Sequence, residues 1–259
     1  MISRLTTSDV AEKLKAISNI EDPFLLTCME DDRKGIVNLA VKKRRELEKD
    51  LAAREKFNEM SIYENRLRKE GFSLIAGIDE VGRGPLAGPV VAASVILPEG
   101  FFLKGLNDSK QIPKNKLEAF AEYIKSKAVA IGIGVIDSAE IDEINIYQAA
   151  KKAMNISVAR LSVNPDYLLI DAMKLSAPYP QESIIKGDSA SISIAAASII
   201  AKVARDRMMI EFGIQFPQYK FEKNAGYGTP EHLAALKECG PSPLHRKSFA
   251  PVKEYITVK

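Results

Sequence analysis

The chain has 259 residues, enough for one ample domain with an appendage or for two small ones. Its 46% hydrophobic and 27% charged residues suit a globular protein with a sizeable core. With 37 basic against 34 acidic residues the formal charge is only +3, which excludes an argument for nucleic-acid binding from global charge; such a claim has to rest on local sites.

No uninterrupted apolar run is long enough to span a membrane, so no membrane association is expected. The stretch Met1 to Asp9 lacks an apolar signal core. Cys28 and Cys239 lie far apart with no C-x-x-C pair. We therefore expect reduced thiols in a cytoplasmic protein and, with two Cys and two His, no zinc site.

Residues 1–70 read as a helical extension. A short helix is expected from near Ser8, stopping before Pro23. From Ile36 to Glu70 there is neither Gly nor Pro, and Lys42-Lys43-Arg44-Arg45 opens a run of mixed charge. Leu47, Glu48, Lys49, Leu51, Ala52 and Ala53 are good helix formers, so a long, largely exposed helix follows. Ser61 and Glu64 have the capping-box spacing that restarts a helix. The segment is either a solvated charged helix with a thin packing stripe or an arm for nucleic acid or a partner.

From Gly71 to the end, residues 71–259, the texture is α/β. Leu74–Ile78 and Val90–Leu97 are short apolar runs separated by Gly- and Pro-rich punctuation, which fits two adjacent strands joined by a loop. Pro113–Lys127 reads as an amphipathic helix. Ala128–Ile136 is a third strand whose Gly132 and Gly134 allow close approach of another element. Residues 138–162 are expected to be helical, Tyr167–Ile170 a fourth strand, and Ser183–Ile185 a weaker fifth. Ser189 to Phe212 is the most helical segment, and a short helix near His232–Glu238 lies in a Pro- and Gly-dotted C-terminal region. Strands first, then helix and strand alternating, predict a mixed five-stranded sheet flanked by helices.

The chemistry is expected where the apolar strands stop. Leu74–Ile78 runs directly into Asp79 and Glu80, and Tyr167–Ile170 into Asp171, which delivers carboxylates to the C-terminal ends of buried strands. Asp188 ends the next weak strand. Four such carboxylates at one sheet edge would repel one another unless a cation neutralised them, and oxygen-only ligands favour Mg2+ or Mn2+. Mg2+ takes few protein carboxylates together with phosphate oxygens, which points to phosphoryl chemistry. Val81-Gly-Arg-Gly-Pro-Leu-Ala-Gly-Pro89, between the first two strands, is either a tight connector or a loop that presses its main chain against a ligand. Ala195, Ala196, Ala197 and Ser198 read as close helix–sheet packing, Arg205 and Asp206 as a structural ion pair, and Asn145 as a buried hydrogen-bonding residue. His232 and His245 receive no role.

The stretch Gly77-Ile-Asp-Glu-Val-Gly-Arg-Gly-Pro-Leu-Ala-Gly-Pro89 resembles the opening motif of bacterial ribonuclease HII, the type 2 ribonuclease H family. The resemblance continues through Asn107-Asp-Ser-Lys110, Ile141-Asp-Glu-Ile-Asn-Ile146, Leu169-Ile-Asp171 and Lys186-Gly-Asp188. It extends through Ile194–Val203, Arg205-Asp-Arg207, Gly226-Tyr-Gly-Thr229 and His245-Arg246, and so covers roughly 72–252. The sister family, ribonuclease HIII, is less similar, since its loop carries Gly-x-Gly-Asp where this chain has Gly82-Arg-Gly-Pro85. Nothing is carried over to the extension.

The resemblance implies a ribonuclease H fold, with a catalytic and metal-binding quartet of Asp79, Glu80, Asp171 and Asp188. It implies two divalent ions, Mg2+ or Mn2+, held about 4 Å apart. Asp79 would bridge them, Glu80 and Asp171 would complete the ion on the leaving-group side, and Asp188 would serve the ion that binds the attacking water. The main chain at Gly82, Arg83 and Gly84 would read the ribose 2′-hydroxyl. Tyr227 would pack on the following deoxyribose, while Ser109 and Lys110 would touch phosphates. The implied substrates are RNA–DNA hybrids and duplex DNA with embedded ribonucleotides, cut to 5′-phosphate and 3′-hydroxyl ends by a monomer. The alternatives are an enzyme of ribonuclease HIII type, which needs several consecutive ribonucleotides, and a non-catalytic hybrid-binding module.

Overall fold

The structure, a computed structural model, describes residues 2–256, so the outermost residues of the 1–70 and 71–259 division lie outside the described residues. The chain divides into two compact units between Glu59 and Met60. In the first, α1 (Thr7–Lys15) opens on a capping box: the Thr6 hydroxyl accepts from the Asp9 N–H, and the Asp9 carboxylate accepts from the Thr6 N–H at 2.9 Å. The next helix, α2 (Pro23–Met29), was not expected from the sequence. Pro23 begins it rather than blocking it, because a proline at the first helical position gives up an N–H that would have no partner there. Asp22 then accepts from the Phe24 and Leu25 N–H groups. The long α3 (Lys34–Met60) contributes a thin buried stripe, Ile36, Ala40 and Leu47, to a cluster with Val10, Leu14, Leu25 and Cys28.

The second unit begins ahead of the change in texture at Gly71, and packing explains why. Helix α4 (Ile62–Lys69) sends Leu67 into a cluster with Ile75, Leu169, Ile184 and Ile194. It also buries Glu64, whose Oε1 accepts from the Ser193 N–H at 3.0 Å and from the Ser191 and Ser193 hydroxyls at 2.5 Å each. The capping box expected at Ser61 is not formed: Ser61 makes no side-chain cap, and the Glu64 carboxylate is committed to those serines.

Five strands follow: β1 (Ile75–Val81), β2 (Val90–Ile96), β3 (Ala130–Ile136), β4 (Tyr167–Asp171) and β5 (Gln181–Ile184). Their order is β3-β2-β1-β4-β5, with β1–β2 and β2–β3 antiparallel and β1–β4 and β4–β5 parallel. This is the mixed sheet that the sequence predicts. Between β2 and β3 lies α5 (Lys114–Lys127); between β3 and β4 lie α6 (Ser138–Ile144) and α7 (Ile146–Ala159). The single helix expected over 138–162 breaks at Asn145, which has φ 67° and caps α7 by accepting from the Tyr147 and Gln148 N–H groups. Asn145 is exposed, not buried, because a cap of this kind sits outside the helix it starts. Helix α8 (Ile192–Gln215) follows β5, and α9 (Phe221–Asn224) and α10 (Pro230–Cys239) close the unit.

The sheet is covered on both faces, which is why β2 is buried along its whole length. Helix α7 packs on β2 and β3. Gly132 and Gly134 give its main chain room: a Cβ there would lie 2.0 Å from the Ser157 oxygen and 1.9 Å from that of Ala153. Helix α8 packs across β1 and β2, with Ala195, Ala196, Ala197 and Ser198 all buried. Among the described residues no helix is long and apolar enough to cross a membrane.

Candidate active site

Parallel pairing of β1 and β4 puts Ile78 opposite Ile170, so the two strands end side by side. Asp79, Glu80 and Asp171 meet there, each offering a carboxylate oxygen within 4.8 Å of the others. Local hydrogen bonds orient two of them. Asp79 Oδ1 accepts from the Glu80 N–H at 2.7 Å, and Asp171 Oδ1 accepts from the Gly187 N–H at 2.7 Å. Glu80 Oε2 is buried with no hydrogen-bond partner.

The electrostatics of the cluster follow from burial and like charge. Burial, then the charges of Glu80 and Asp171, hold Asp79 well above the usual carboxylate range, against hydrogen bonds from Ser198 and the Glu80 N–H. Burial pushes Glu80 up to about 7, with the Arg83 guanidinium opposing and Asp171 adding to the shift. Burial also raises Asp171, and Asp188 adds to it, while the Gly187 N–H and Lys110 pull the other way. Close oxygen ligands, a buried carboxylate oxygen without a partner and mutual repulsion fit a hard divalent cation.

Asp188 is buried in the turn Gly187–Ser189 and stands outside this group of three. Its Oδ2 lies 3.6 Å from Lys110 Nζ, which also reaches Asp108 at 3.8 Å. The structure thus gathers three of the four predicted carboxylates and sets the fourth beside a lysine. Burial opposes it, yet Asp108, Asp188 and Asp79 together raise the Lys110 pKa, so its ammonium stays charged among them. The Ser109 hydroxyl faces inward, 2.9 Å from the Ser198 hydroxyl, and Ser198 in turn pulls the Asp79 pKa down against burial. Ser198, read from the sequence as packing alone, therefore also links Ser109 to the carboxylates.

The loop after β1 rests on two buried guanidiniums. Arg205 donates to the carbonyls of Pro89 at 2.9 Å, Ala225 at 2.9 Å and Ala87 at 3.2 Å. Gly82 has φ 93°, and a Cβ on it would lie 2.3 Å from Arg205 Nε, so the loop closes over that side chain only with glycine. Arg246 donates to the carbonyls of Gly82 at 2.5 Å, Arg83 at 2.9 Å and Gly88 at 2.9 Å. A planar trans peptide points its N–H opposite to its C=O. With the Gly82 and Arg83 carbonyls held by Arg246, the N–H groups of Arg83 and Gly84 face away from it. Arg83 itself reaches Glu80 Oε1 at 3.4 Å.

The expected Arg205–Asp206 ion pair is not formed. Neighbouring residues on a helix point in different directions. Arg205 turns into the core, while Asp206 accepts from Lys202, one turn away, at 2.6 Å. Tyr227 is 47% exposed, and its Cε1 lies 3.7 Å from where a Cβ on Gly84 would stand. The Leu86 N–H donates to the Gly226 carbonyl at 2.8 Å and ties the Tyr227 turn to the loop. The predicted main-chain readers and the predicted aromatic are thus neighbours. Sequence reasoning missed both guanidiniums as loop anchors and the contact between His232 and His245, at 3.0 Å. No spacing marks the arginines, since their partners are main-chain carbonyls remote in sequence.

A mixed sheet whose adjacent parallel strands end in clustered carboxylates defines a ribonuclease H-like protein, and solved structures share the fold. Ribonuclease H2 from Pyrococcus horikoshii OT3 aligns with TM-score 0.61 and 22% identity over 70% of this chain and 96% of its own. Bst-RNase HIII in complex with Mn2+ aligns with TM-score 0.57 and 19% identity over 71% and 69%. Residues 76–252 match the family described as ribonuclease HII. Residues 6–68, which the motifs left outside the resemblance, match the ribonuclease HII N-terminal domain. Ribonuclease HII of Bacillus cereus (strain B4264) is 55% identical over 252 residues, 97% of this chain and 98% of the relative. The chain belongs to the ribonuclease HII family, and is thus an enzyme, an RNA-cutting endonuclease of the ribonuclease H type.

Proposed function

We propose that the enzyme hydrolyses the RNA strand of RNA–DNA hybrids and nicks duplex DNA on the 5′ side of single embedded ribonucleotides, leaving 5′-phosphate and 3′-hydroxyl ends. One observation carries this reading: the clustered carboxylates run without a break into a loop whose N–H groups are turned away from its own anchor. Groups suited to a phosphate and groups suited to the adjoining sugar are thereby held in one rigid stretch.

Asp79, Glu80 and Asp171 would hold a divalent ion, Mg2+ or Mn2+, and Asp188 would help to hold a second; a protein of the same fold binds Mn2+. Bound there, such ions supply an activated water and stabilise the leaving 3′ oxygen. The protein's own groups orient the reaction. The Glu80 N–H fixes Asp79, and the Gly187 N–H fixes Asp171. Lys110, largely exposed beside Asp188, offers a cation to a backbone phosphate. The Arg83 and Gly84 N–H groups offer donors to a 2′-hydroxyl, the group that separates RNA from DNA. The Tyr227 ring, against Gly84, is suited to pack on the next sugar.

Nicking of a duplex with one ribonucleotide and cleavage of a long hybrid, each with Mg2+ and then with EDTA, test the proposal. Both substrates should be cut with Mg2+, neither in EDTA, and neither by Asp79→Asn, which should remain folded and bind duplex. A folded Asp79→Asn enzyme that cuts at near the parent rate would sink the carboxylate assignment. Cleavage of the hybrid alone would restrict the enzyme to runs of ribonucleotides.

A further inference from the structure

Two imidazoles fill the interior behind Tyr227, and nothing in the proposed reaction uses them. His232, in α10, and His245, in the C-terminal segment, are 0% and 1% exposed. The Ser242 N–H, which can only donate, points at His245 Nδ1 from 2.9 Å, with the Ser242 hydroxyl 2.8 Å from the same nitrogen, so that nitrogen carries a lone pair. The neutral ring then has its proton on Nε2, which faces His232 Nε2 at 3.0 Å. Donor meets acceptor only if His232 Nε2 is bare. That places the His232 proton on Nδ1, 2.9 Å from the Tyr227 carbonyl oxygen. One main-chain N–H therefore sets both tautomers, and the chain of donors runs in one direction, from Ser242 to Tyr227.

A charge on either ring would set a ring N–H against the Ser242 N–H or against the other ring, with only the Ser242 hydroxyl, 2.8 Å from His245 Nδ1, left to accept it. The surroundings keep the pair neutral. Tyr219 and Phe221 wall both rings with their aromatic faces and edges, and the Tyr219 hydroxyl is itself occupied, donating to the Gly240 carbonyl at 2.6 Å. Burial accordingly lowers the pKa of both histidines.

The two ends of this relay are joined to the two parts of the substrate reader. At one end, the Tyr227 carbonyl also accepts from the Thr229 N–H at 2.8 Å, and the Tyr227 N–H donates to the Asn224 carbonyl at 2.9 Å, so its peptide links are held on both sides. At the other end, His245 pairs with Ala87 in a β-bridge, and Arg246 follows at once to hold the Gly82 and Arg83 carbonyls. We infer that His232 and His245 are positioning residues: their relay sets the distance between the Tyr227 ring and the Gly82–Gly84 loop, and so the preference for a ribonucleotide followed by a deoxyribonucleotide. The inference rests on Tyr227 being the contact for that second sugar.

The test is the ratio of kcat/KM on a single-ribonucleotide duplex to that on a long RNA–DNA hybrid, with melting followed in parallel. The full-length parent is compared with Tyr227→Ala, His232→Phe, the double variant, and His232→Asn, which keeps an N–H near the position of Nδ1. Tyr227→Ala and His232→Phe should each lower the ratio by about tenfold, the size of one lost stacking contact. The double variant should lose no more than either alone, and His232→Asn should recover most of the ratio. Equal losses on both substrates for His232→Phe, or losses that multiply in the double variant, would overturn the relay while leaving Tyr227 in its role. An unchanged ratio in Tyr227→Ala would overturn both. If His232→Phe does not fold, His245→Asn carries the same comparison, since it keeps an acceptor for the Ser242 N–H and removes the donor to His232; the same outcomes decide.

Discussion

The Arg246 guanidinium holds the Gly82 carbonyl at 2.5 Å, so a residue 164 positions downstream anchors the loop that follows the clustered carboxylates. A guanidinium spreads five N–H donors across a rigid plane, whereas an ammonium directs three from a single nitrogen and cannot reach the same set of carbonyls in the same geometry. Arg246→Lys should therefore fold yet lower kcat/KM on a single-ribonucleotide duplex by about 10- to 100-fold, the equivalent of one or two lost charged hydrogen bonds. Arg246→Met leaves the same carbonyls buried without donors and should cost about 2–4 kcal/mol of stability. Steady-state rates and denaturant midpoints check the pair. Parent activity in Arg246→Lys would mean the loop supports itself.

The Glu64 carboxylate makes α4 part of the catalytic unit, since it accepts from the Ser193 N–H in the first turn of α8. Glu64→Leu should lower stability by about 1–3 kcal/mol through the buried donors left without an acceptor. A chain beginning at residue 60 should unfold cooperatively and cut substrate. One beginning at residue 71 also loses Leu67 from its cluster and should be less stable by at least a further 2 kcal/mol or so. Urea melts of the two truncations decide. Equal midpoints would show that α4 is dispensable to the core.

Much of the site was legible because its chemistry interrupts a pattern. Apolar runs that end in Asp79 and Asp171 mark buried strands, and the carboxylates converge because those strands pair in parallel, as the alternation of helix and strand implies. What stayed hidden depends on partners remote in sequence. The Lys110–Asp188 contact is one such case, since Lys110 arrives on a loop after β2 that no spacing ties to Asp188. Arg205 and Arg246 bind carbonyls, which carry no side-chain signature. Pro23 and Asn145 show the same limit on a local scale: each residue type both ends and begins helices, and only the backbone decides which.

Two glycines in one loop should respond differently to a methyl group. At Gly82 the φ of 93° and the contact with Arg205 forbid a Cβ, so Gly82→Ala should displace the loop, lower stability and abolish most activity. At Gly84 a Cβ would meet only Tyr227 Cε1, at an ordinary 3.7 Å. Gly84→Ala should thus melt close to the parent, yet crowd an incoming sugar and lower kcat/KM on a single ribonucleotide by about tenfold. Thermal melting separates the two cases. A Gly84→Ala enzyme with full activity would place the sugar elsewhere.

The carboxylate cluster should make the metal-free enzyme lose stability as pH rises. Glu80 has its pKa raised from 4.5 to about 7 by burial, so the folded chain keeps this proton to a higher pH than the unfolded chain. Below about 4.5 both states are protonated and nothing is lost. Between the two values the unfolded chain ionises first, and above about 7 the folded state carries the full penalty, up to about 3 kcal/mol. Glu80→Gln cannot ionise and escapes this loss. In EDTA its stability advantage over the parent should be small at pH 5 and should grow by pH 8. His245, lowered to about 4, acts in the opposite sense, since the unfolded chain takes up its proton first as pH falls below 6.5. That contribution is common to both proteins and cancels in the difference. Adding Mg2+ or Mn2+ at pH 8 should raise the parent's melting temperature and release protons from the cluster, and should do less for Glu80→Gln. Urea melts at the two pH values, with and without the ion, measure each quantity. An advantage for Glu80→Gln that stays constant with pH would show that Glu80 ionises in the folded enzyme as readily as in water, and that the cluster has no need of a cation.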